Sequence, residues 1–156
     1  MSKFDEALKK LSLPVTVVTV GRGGAENGLT VSWVCPVSFE PLQLMISIDK
    51  KHFSVEFLDS TESFVVNVLA KGQEKLAAHF AKQSFSDQDK LENISTRESE
   101  SGGAILTEAL CYFDCEVKAK HDHGDHTIYI GQVVSAEDLN QGEPMTSLAG
   151  MRYVKK

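Results

Sequence analysis

The stretch Val15-Thr16-Val17-Val18-Thr19-Val20 contains only β-branched residues. Branching at Cβ restricts the side-chain rotamers in a helix and suits extended, buried backbone, so this stretch predicts a core strand. A glycine-rich turn over 21–24 follows it, and strand character resumes over 29–34 and 42–49. We therefore expect the first third of the chain to build one half of a β-sheet.

The rest of the chain continues this pattern. Alternating apolar residues predict a strand over 63–69, and also two strands of a hairpin around Gly124, over 111–119 and 126–135. Apolar residues at helical spacing predict short helices over 4–11, 52–58 and 73–82, whereas 83–103 shows no clear periodicity and predicts a functional or mobile loop. Strands outnumber helices without alternating with them, so we predict an all-β fold, an antiparallel sheet curled into a barrel.

Length and composition indicate the class of protein. The 156 residues are expected to form a single domain over 1–156, and 42% hydrophobic residues suffice for one core. A net charge of −6 offers no basic field, so we expect no nucleic acid partner, and the apolar stretches are far shorter than the roughly 20 residues of a membrane span. The charged first residues lack a secretory signal pattern, so we expect a cytoplasmic protein whose three cysteines are reduced.

Several common functional motifs are missing. No Gly-x-Gly-x-x-Gly follows a predicted strand, and neither a Gly-Lys-Ser/Thr phosphate loop nor a Gly-x-Ser-x-Gly turn occurs. These absences argue against a Rossmann domain, a P-loop NTPase and a serine hydrolase.

The first candidate binding segment is Asn27–Trp33. Thr30 and Ser32 lie on one face of a predicted strand, where their hydroxyls suit a phosphate or the polar edge of a ring. The alternative is a solvent-facing strand with ordinary hydroxyl residues.

The second candidate is the segment Asp49–Ser54. Two lysines and Ser54 fall at the start of a predicted helix, where free N–H groups and the helix dipole favour an anion such as a phosphate. The alternative is that these lysines are simply solvated.

The third candidate is a group of histidines. His121, His123 and His126, with Asp122 and Asp125, are residue types that bind metals. We assign no metal and favour contact between His126 and a ligand, because the neighbouring Gly124 lets the backbone approach a bound molecule closely. A metal-binding hairpin stays as an alternative.

Several blocks of the chain, taken in order, resemble the flavin reductase-like family of FMN-binding split barrels. The resemblance runs from about Pro14 to Val134 and is carried by the blocks 14–20, 27–33, 36–39, 63–69, 73–80, 124–126 and 130–133. It implies a six-stranded antiparallel Greek-key split barrel, usually a homodimer, with FMN or FAD near the dimer interface.

The resemblance also implies the residues of the site. The isoalloxazine ring would be lined by Thr30, Val31, Ser32 and Trp33 and edged by Ser47, Ile48 and Asp49. The phosphate would be held by Lys51, His52 and Ser54, and the far side closed by Phe80 and Lys82. His126 is the catalytic candidate, at the place where the nicotinamide of NADH or NADPH stacks on the flavin.

The function implied is an NAD(P)H-dependent flavin reductase. Hydride would pass from the nicotinamide to the flavin, and electrons would then go to free flavin or to a partner monooxygenase. FMN is the expected cofactor and FAD the alternative. A second hypothesis is an FMN-binding electron-transfer protein that reduces a protein partner or ferric complexes and has little nicotinamide activity.

Overall fold

The computed structural model of the protein describes residues 3–20, 27–51, 58–59, 62–82 and 90–148. The helices of this part include α1 (Lys3–Leu8) and α2 (Glu74–Ala81). The strands are β1 (Ser12–Pro14), β2 (Thr16–Val20), β3 (Asn27–Val31), β4 (Val34–Phe39), β5 (Leu42–Asp49), β6 (Ser63–Val68), β7 (Thr96–Glu98), β8 (Ala104–Leu106), β9 (Cys111–His123), β10 (His126–Asp138) and β11 (Thr146–Leu148). The predicted all-β class with few helices is confirmed.

Seven of these strands form one antiparallel sheet in the order β3-β2-β6-β9-β10-β5-β4. The two outermost strands, β3 and β4, are consecutive in the chain and are joined only by Ser32 and Trp33. Because so short a link holds both ends of the sheet together, the sheet must curl round on itself. β3 pairs with β2 and β4 pairs with β5, so the two act as one bent strand, and the sheet then has the expected six.

The burial of β2 explains its composition. All five of its residues are buried. Val18 belongs to a core cluster with Phe64, inside the curl of the sheet. Val17 faces the other way and belongs to a second cluster with Phe80 of α2. A strand that is covered on both faces has no polar face to alternate with, so it is a continuous β-branched run.

The outer face of β2 also carries a buried polar network. Asn67 of β6 is fully buried, and its Nδ2 donates to the carbonyl oxygen of Val17 at 3.1 Å. Its Oδ1 accepts from the backbone N–H of Leu106 at 2.8 Å. Thr19 donates to the carbonyl oxygen of Ala104 at 2.5 Å. These bonds join β8 to the sheet and satisfy polar groups that burial would otherwise destabilise.

The predicted hairpin is formed by β9 and β10, each 13 residues long. Gly124 turns the chain with a φ of +53°, in the left-handed region that glycine adopts without steric cost. Charged residues alternate with apolar ones along β9, a pattern that predicts one face in water, but Asp114 on that face is fully buried. Ser101 donates to its carboxylate through both the hydroxyl and the backbone N–H. The segment around Ser101 covers this face, a long-range contact that strand periodicity does not contain.

Other predicted segments have mixed outcomes. The first predicted helix is present as α1, but the side chain of Phe4 is 76% exposed. Residues 90–103 were expected to belong to an irregular loop, yet they include β7, which pairs with β8. Of the helix predicted over 52–58, only Leu58 lies in the described residues, and it is helical. No helix within the described ranges is long and apolar enough to cross a membrane.

Candidate functional site

The site centres on the two residues that join β3 to β4. Ser32 and Trp33 lie outside both strands. The carbonyl oxygen of Trp33 accepts from the backbone N–H of Ser47 on β5 at 3.0 Å, which holds the link against the sheet. Ser32 is buried, whereas the Trp33 side chain is 39% exposed. The chain therefore presents an indole at the surface where the sheet curls.

The indole of Trp33 stacks on the imidazole of His126. Their ring centroids lie 4.5 Å apart and their planes differ by 21°. His126 is the first residue of β10, and it reaches this place because it pairs in register with Asp49 at the end of β5. Two residues that are 93 positions apart in the chain, and that the sequence assigned to one site, are in contact.

Asp125 orients the imidazole of His126. The Nδ1 atom of His126 lies 2.6 Å from Oδ1 of Asp125, and a carboxylate can only accept, so Nδ1 carries the proton and donates. The other ring nitrogen, Nε2, can then accept a hydrogen bond from a ligand, or donate one when the ring is protonated. Asp125 was expected to have a function of its own only in the metal alternative, so this orienting contact was not predicted.

The end of β5 supplies the polar part of the site. Asp49 is exposed, and its Oδ1 accepts from the backbone N–H of Lys51 at 2.9 Å. Lys51 is exposed and Ser47 is half-buried. Ile48 is only 2% exposed and packs in the inner core, so only its backbone can edge a ligand. His52 and Ser54, the other expected phosphate residues, lie outside the described residues.

We call the residues Ser32, Trp33, Ser47, Asp49, Lys51, Asp125 and His126 the corner site.

A second set of expected residues lies between β3 and α2. Thr30 is half-buried, and its hydroxyl donates to the carbonyl oxygen of Ala77 on α2 at 2.5 Å. Val31 is buried, and its carbonyl oxygen accepts from the hydroxyl of Thr16. The expected solvent-facing alternative for Thr30 and Ser32 is therefore wrong, since neither side chain is exposed.

Phe80 and Lys82 sit at the end of α2. The Phe80 ring was expected to close the far side of the flavin, but it is fully buried against β3, so it supports the strand from behind instead of facing a ligand. Gly28 makes this approach possible, because a Cβ there would lie 2.9 Å from two carbons of the ring. Gly28 lies inside β3. Lys82 occupies the C-cap position of α2, and its side chain is exposed.

The metal alternative finds no support in the histidine geometry. The rings of His121 and His123 lie 6.5 Å apart, and His126 is stacked on Trp33 instead of joining them. Across the described ranges, no group of three or more His, Cys, Asp or Glu side chains is arranged to hold a metal ion.

Lys90 is a residue that sequence analysis missed. It is 5% exposed, and its ammonium donates to the carbonyl oxygens of Gly28 at 3.2 Å and Phe80 at 3.3 Å. Burial lowers the pKa of Lys90 to about 8. A lysine in a polar segment without periodicity predicts a solvated side chain, so no local signal could have revealed this position.

A family model described as a flavin reductase like domain matches residues 8–153. The chain belongs to this family. The NADH:FAD oxidoreductase of Streptomyces globisporus C-1027 is 32% identical with a TM-score of 0.83, covering 90% of this chain and 84% of that chain. Its structure has also been solved with NAD and FAD fragments. The predicted family and split-barrel fold are confirmed.

This flavin reductase-like chain is also similar to a monooxygenase component and to a rubredoxin. Nitrilotriacetate monooxygenase component B from Mycobacterium thermoresistibile is 25% identical with a TM-score of 0.85, covering 95% of this chain and 82% of that chain. The high molecular weight rubredoxin of Moorella thermoacetica is 32% identical over 143 residues, which are 90% of this chain and 62% of that protein. The chain spans about a quarter of the length of the diflavin flavoproteins that it also matches.

The chemistry of the corner site fits a flavin. A flavin combines a flat aromatic ring that has polar edges with a phosphate at the end of a flexible chain. Trp33 offers flat aromatic surface that is partly exposed. Ser47 and Asp49 offer polar groups, and the exposed Lys51 offers a cation for the phosphate. Both the ring and the phosphate therefore have suitable partners among the residues present.

Proposed function

We propose that this member of the flavin reductase-like family is an NAD(P)H-dependent flavin reductase that uses FMN. The observation that carries the proposal is the stack of Trp33 on His126. It puts the residue expected to line the flavin ring beside the residue expected to contact the nicotinamide. The similarity to an NADH:FAD oxidoreductase supports the same reaction class.

The corner site would act mainly by positioning. When bound, a flavin supplies the two-electron chemistry between nicotinamide and acceptor, so the protein needs no acid–base pair of its own. Thr30 to Trp33 would line the ring, and Ser47 to Asp49 would edge it. Phe80 would support β3 from behind, and Asp125 would hold the His126 ring in one orientation for the nicotinamide.

The phosphate of the cofactor would be held by the cationic end of the site. Lys51 is exposed just after the end of β5, in a chain whose net charge of −6 gives no general attraction for anions, and the exposed Lys82 would close the far side of the ring. His52 and Ser54 complete this group by resemblance to the family. FMN carries one phosphate and no adenosine, so it needs no further pocket, and for this reason we propose FMN over FAD.

The test compares His126→Gln with His121→Gln. His121 is an exposed histidine on β9 outside the corner site, which makes it the matched control. Aromatic stacking contributes about 0.5–1.5 kcal/mol, so removing the imidazole should raise the KM for NADH or NADPH about two- to tenfold. The control should match the wild type, and both variants should keep wild-type affinity for FMN.

The assay measures oxidation of NADH and of NADPH with FMN and with FAD, after titration of each flavin into the wild-type chain. We expect saturable flavin binding and catalytic turnover. Wild-type protein that binds neither flavin contradicts the proposal. Equal KM values in the two histidine variants would show that His126 does not contact the nicotinamide.

A second candidate function is electron transfer to a protein partner with little nicotinamide activity. The observation that favours it is the match to part of a rubredoxin and to part of several diflavin flavoproteins, since these relatives carry further sequence beside the matching region. A chain that binds FMN, is not reduced by either nicotinamide, and passes electrons from dithionite to rubredoxin would support this candidate over the first. A monooxygenase component is the alternative acceptor, in line with the similarity to a monooxygenase component B.

We also propose that the chain forms a homodimer. The outermost strand β4 exposes apolar side chains, with Val37 at 47% and Phe39 at 88% exposure. An edge strand of this kind is a surface that proteins usually cover. Sedimentation analysis should give a mass of about twice 17.1 kDa, and a monomer at every concentration would contradict this.

A further inference from the structure

Among the residues that the structure describes, one buried cation has no assigned function. Lys90 lies in the segment between α2 and β7, and its side chain reaches into the contact between α2 and β3. The carbonyl oxygen of Phe80 belongs to the last turn of α2, where carbonyls lack partners within the helix. A cation at this end of a helix also interacts favourably with the helix dipole.

We propose that Lys90 is a positioning residue of the flavin site, because its ammonium joins the beginning of β3 to the end of α2. This inference rests on the proposed function, since the segment that Lys90 positions is the one assigned to the flavin ring. Lys90 acts through Gly28 and Phe80 and is not a catalytic residue.

The position of β3 depends on such side contacts. Within the described sheet β3 is an outermost strand, so a strand ladder holds it only on the side of β2. Its outer face is covered by α2, through the Thr30 hydroxyl on Ala77 and through the packing of Phe80 on Gly28. Lys90 adds a charged bond between the same two elements.

These contacts are made by residues close in the chain to those assigned to the flavin. Gly28 lies two residues before Thr30, the first of the ring-lining residues, and Phe80 lies two residues before Lys82. A shift of β3 against α2 would therefore move the two sides of the flavin site relative to each other. Displacements of about 1 Å are enough to weaken a preorganised site strongly.

The cost of burying this lysine limits what its hydrogen bonds add to stability. Desolvation opposes the charge of a buried ammonium, and burial lowers the pKa of Lys90 to about 8. An apolar side chain of similar length would avoid that cost. Proteins commonly keep such unfavourable groups where function requires them.

The experiment replaces Lys90 by methionine, which is similar in length but has no charge and no donor. Lys75→Met is the matched control, because Lys75 is an exposed lysine on α2. Urea unfolding, flavin titration and steady-state kinetics are measured for both variants. We expect Lys90→Met to unfold near the wild-type urea concentration, because the desolvation cost that is removed offsets the two bonds that are lost, and to bind FMN about tenfold more weakly or worse. The kcat at saturating FMN should stay near the wild-type value, and Lys90→Arg should recover part of the affinity.

Hydrogen exchange gives a measurement that does not depend on flavin. Loss of the Lys90 bonds should speed exchange of the amides in β3 and in the last turn of α2, and leave the β9–β10 hairpin unchanged. If Lys90→Met folds poorly, the comparison of Lys90→Arg with wild type in the same two measurements decides the matter, with weaker FMN binding and faster local exchange expected for a planar group that fits the two carbonyls less well.

The two proposals can fail separately. Wild-type affinity for FMN in Lys90→Met, or unchanged exchange in β3 and α2, would overturn the positioning function of Lys90 and leave the flavin reductase proposal standing. A wild-type chain that binds no flavin would overturn both. Equal losses of FMN affinity in Lys90→Met and Lys75→Met would show a general charge effect and would also overturn the inference.

Discussion

Replacing Gly28 by alanine tests the close approach of β3 and α2 on which the site depends. The new Cβ would lie 2.9 Å from both Cδ1 and Cε1 of the Phe80 ring. Carbon atoms in contact are about 3.5–4.0 Å apart, so the ring or the strand must move by roughly 0.6 Å or more. Phe80 has an exposed fraction of 0% and belongs to a packed cluster, so the ring has no free space to enter.

The magnitude follows from two opposing effects. Overpacking a core typically costs about 1–3 kcal/mol. Alanine in place of glycine restricts the unfolded chain, which by itself raises the free energy of unfolding by about 0.4–1 kcal/mol. Overpacking is the larger effect, so Gly28→Ala should lower the free energy of unfolding by about 1–2 kcal/mol. For a chain of this size that loss corresponds to a fall in Tm of about 2–8 °C.

The assay is urea unfolding followed by circular dichroism and by the fluorescence of Trp33, the only tryptophan in the chain. Phe80→Leu provides the control because it makes room for the new methyl group. Gly28→Ala should cost less in the Phe80→Leu background than in the wild type, which is a coupling between neighbouring sites. An unchanged free energy of unfolding, or the same cost in both backgrounds, would refute the reasoning.

Three further predictions concern buried groups. A thiol reagent at about pH 8 should label the exposed Cys35 quickly and Cys115 not at all, because burial raises the pKa of Cys115 to about 12; rapid labelling of a variant that combines Cys35→Ser with Cys111→Ser would contradict this. Asn67→Ala should lower the free energy of unfolding by about 2–4 kcal/mol, since it leaves buried backbone groups of two strands without partners, and an unchanged urea midpoint would disprove that. Lys90 should make stability rise with pH between about 8 and 10.5, because in this range the folded chain has released a proton that the unfolded chain still holds. The free energy of unfolding of the wild type minus that of Lys90→Met should therefore increase over this range, and a constant difference would count against the buried ammonium.

Local sequence patterns were sufficient for much of the fold. The β-branched stretch at 15–20 predicted a core strand, and the alternating segments around Gly124 predicted the hairpin. Both signals arise from the periodicity of side chains along an extended backbone, which short windows of sequence contain. The same windows did not predict the burial of Asp114, because the segment that covers it, around Ser101, lies outside the strand.

The site divides in the same way. The sequence alone determined the class of residues, an indole, an imidazole and lysines beside strand ends, and the family whose order of motifs they follow. Only the tertiary structure decided that Trp33 stacks on His126, that the Phe80 ring lies buried behind β3, and that Lys90 joins β3 to α2. The physical reason is that each of these contacts joins residues distant in the chain. Strand register and the curl of the sheet bring such residues together, and neither is encoded within one segment.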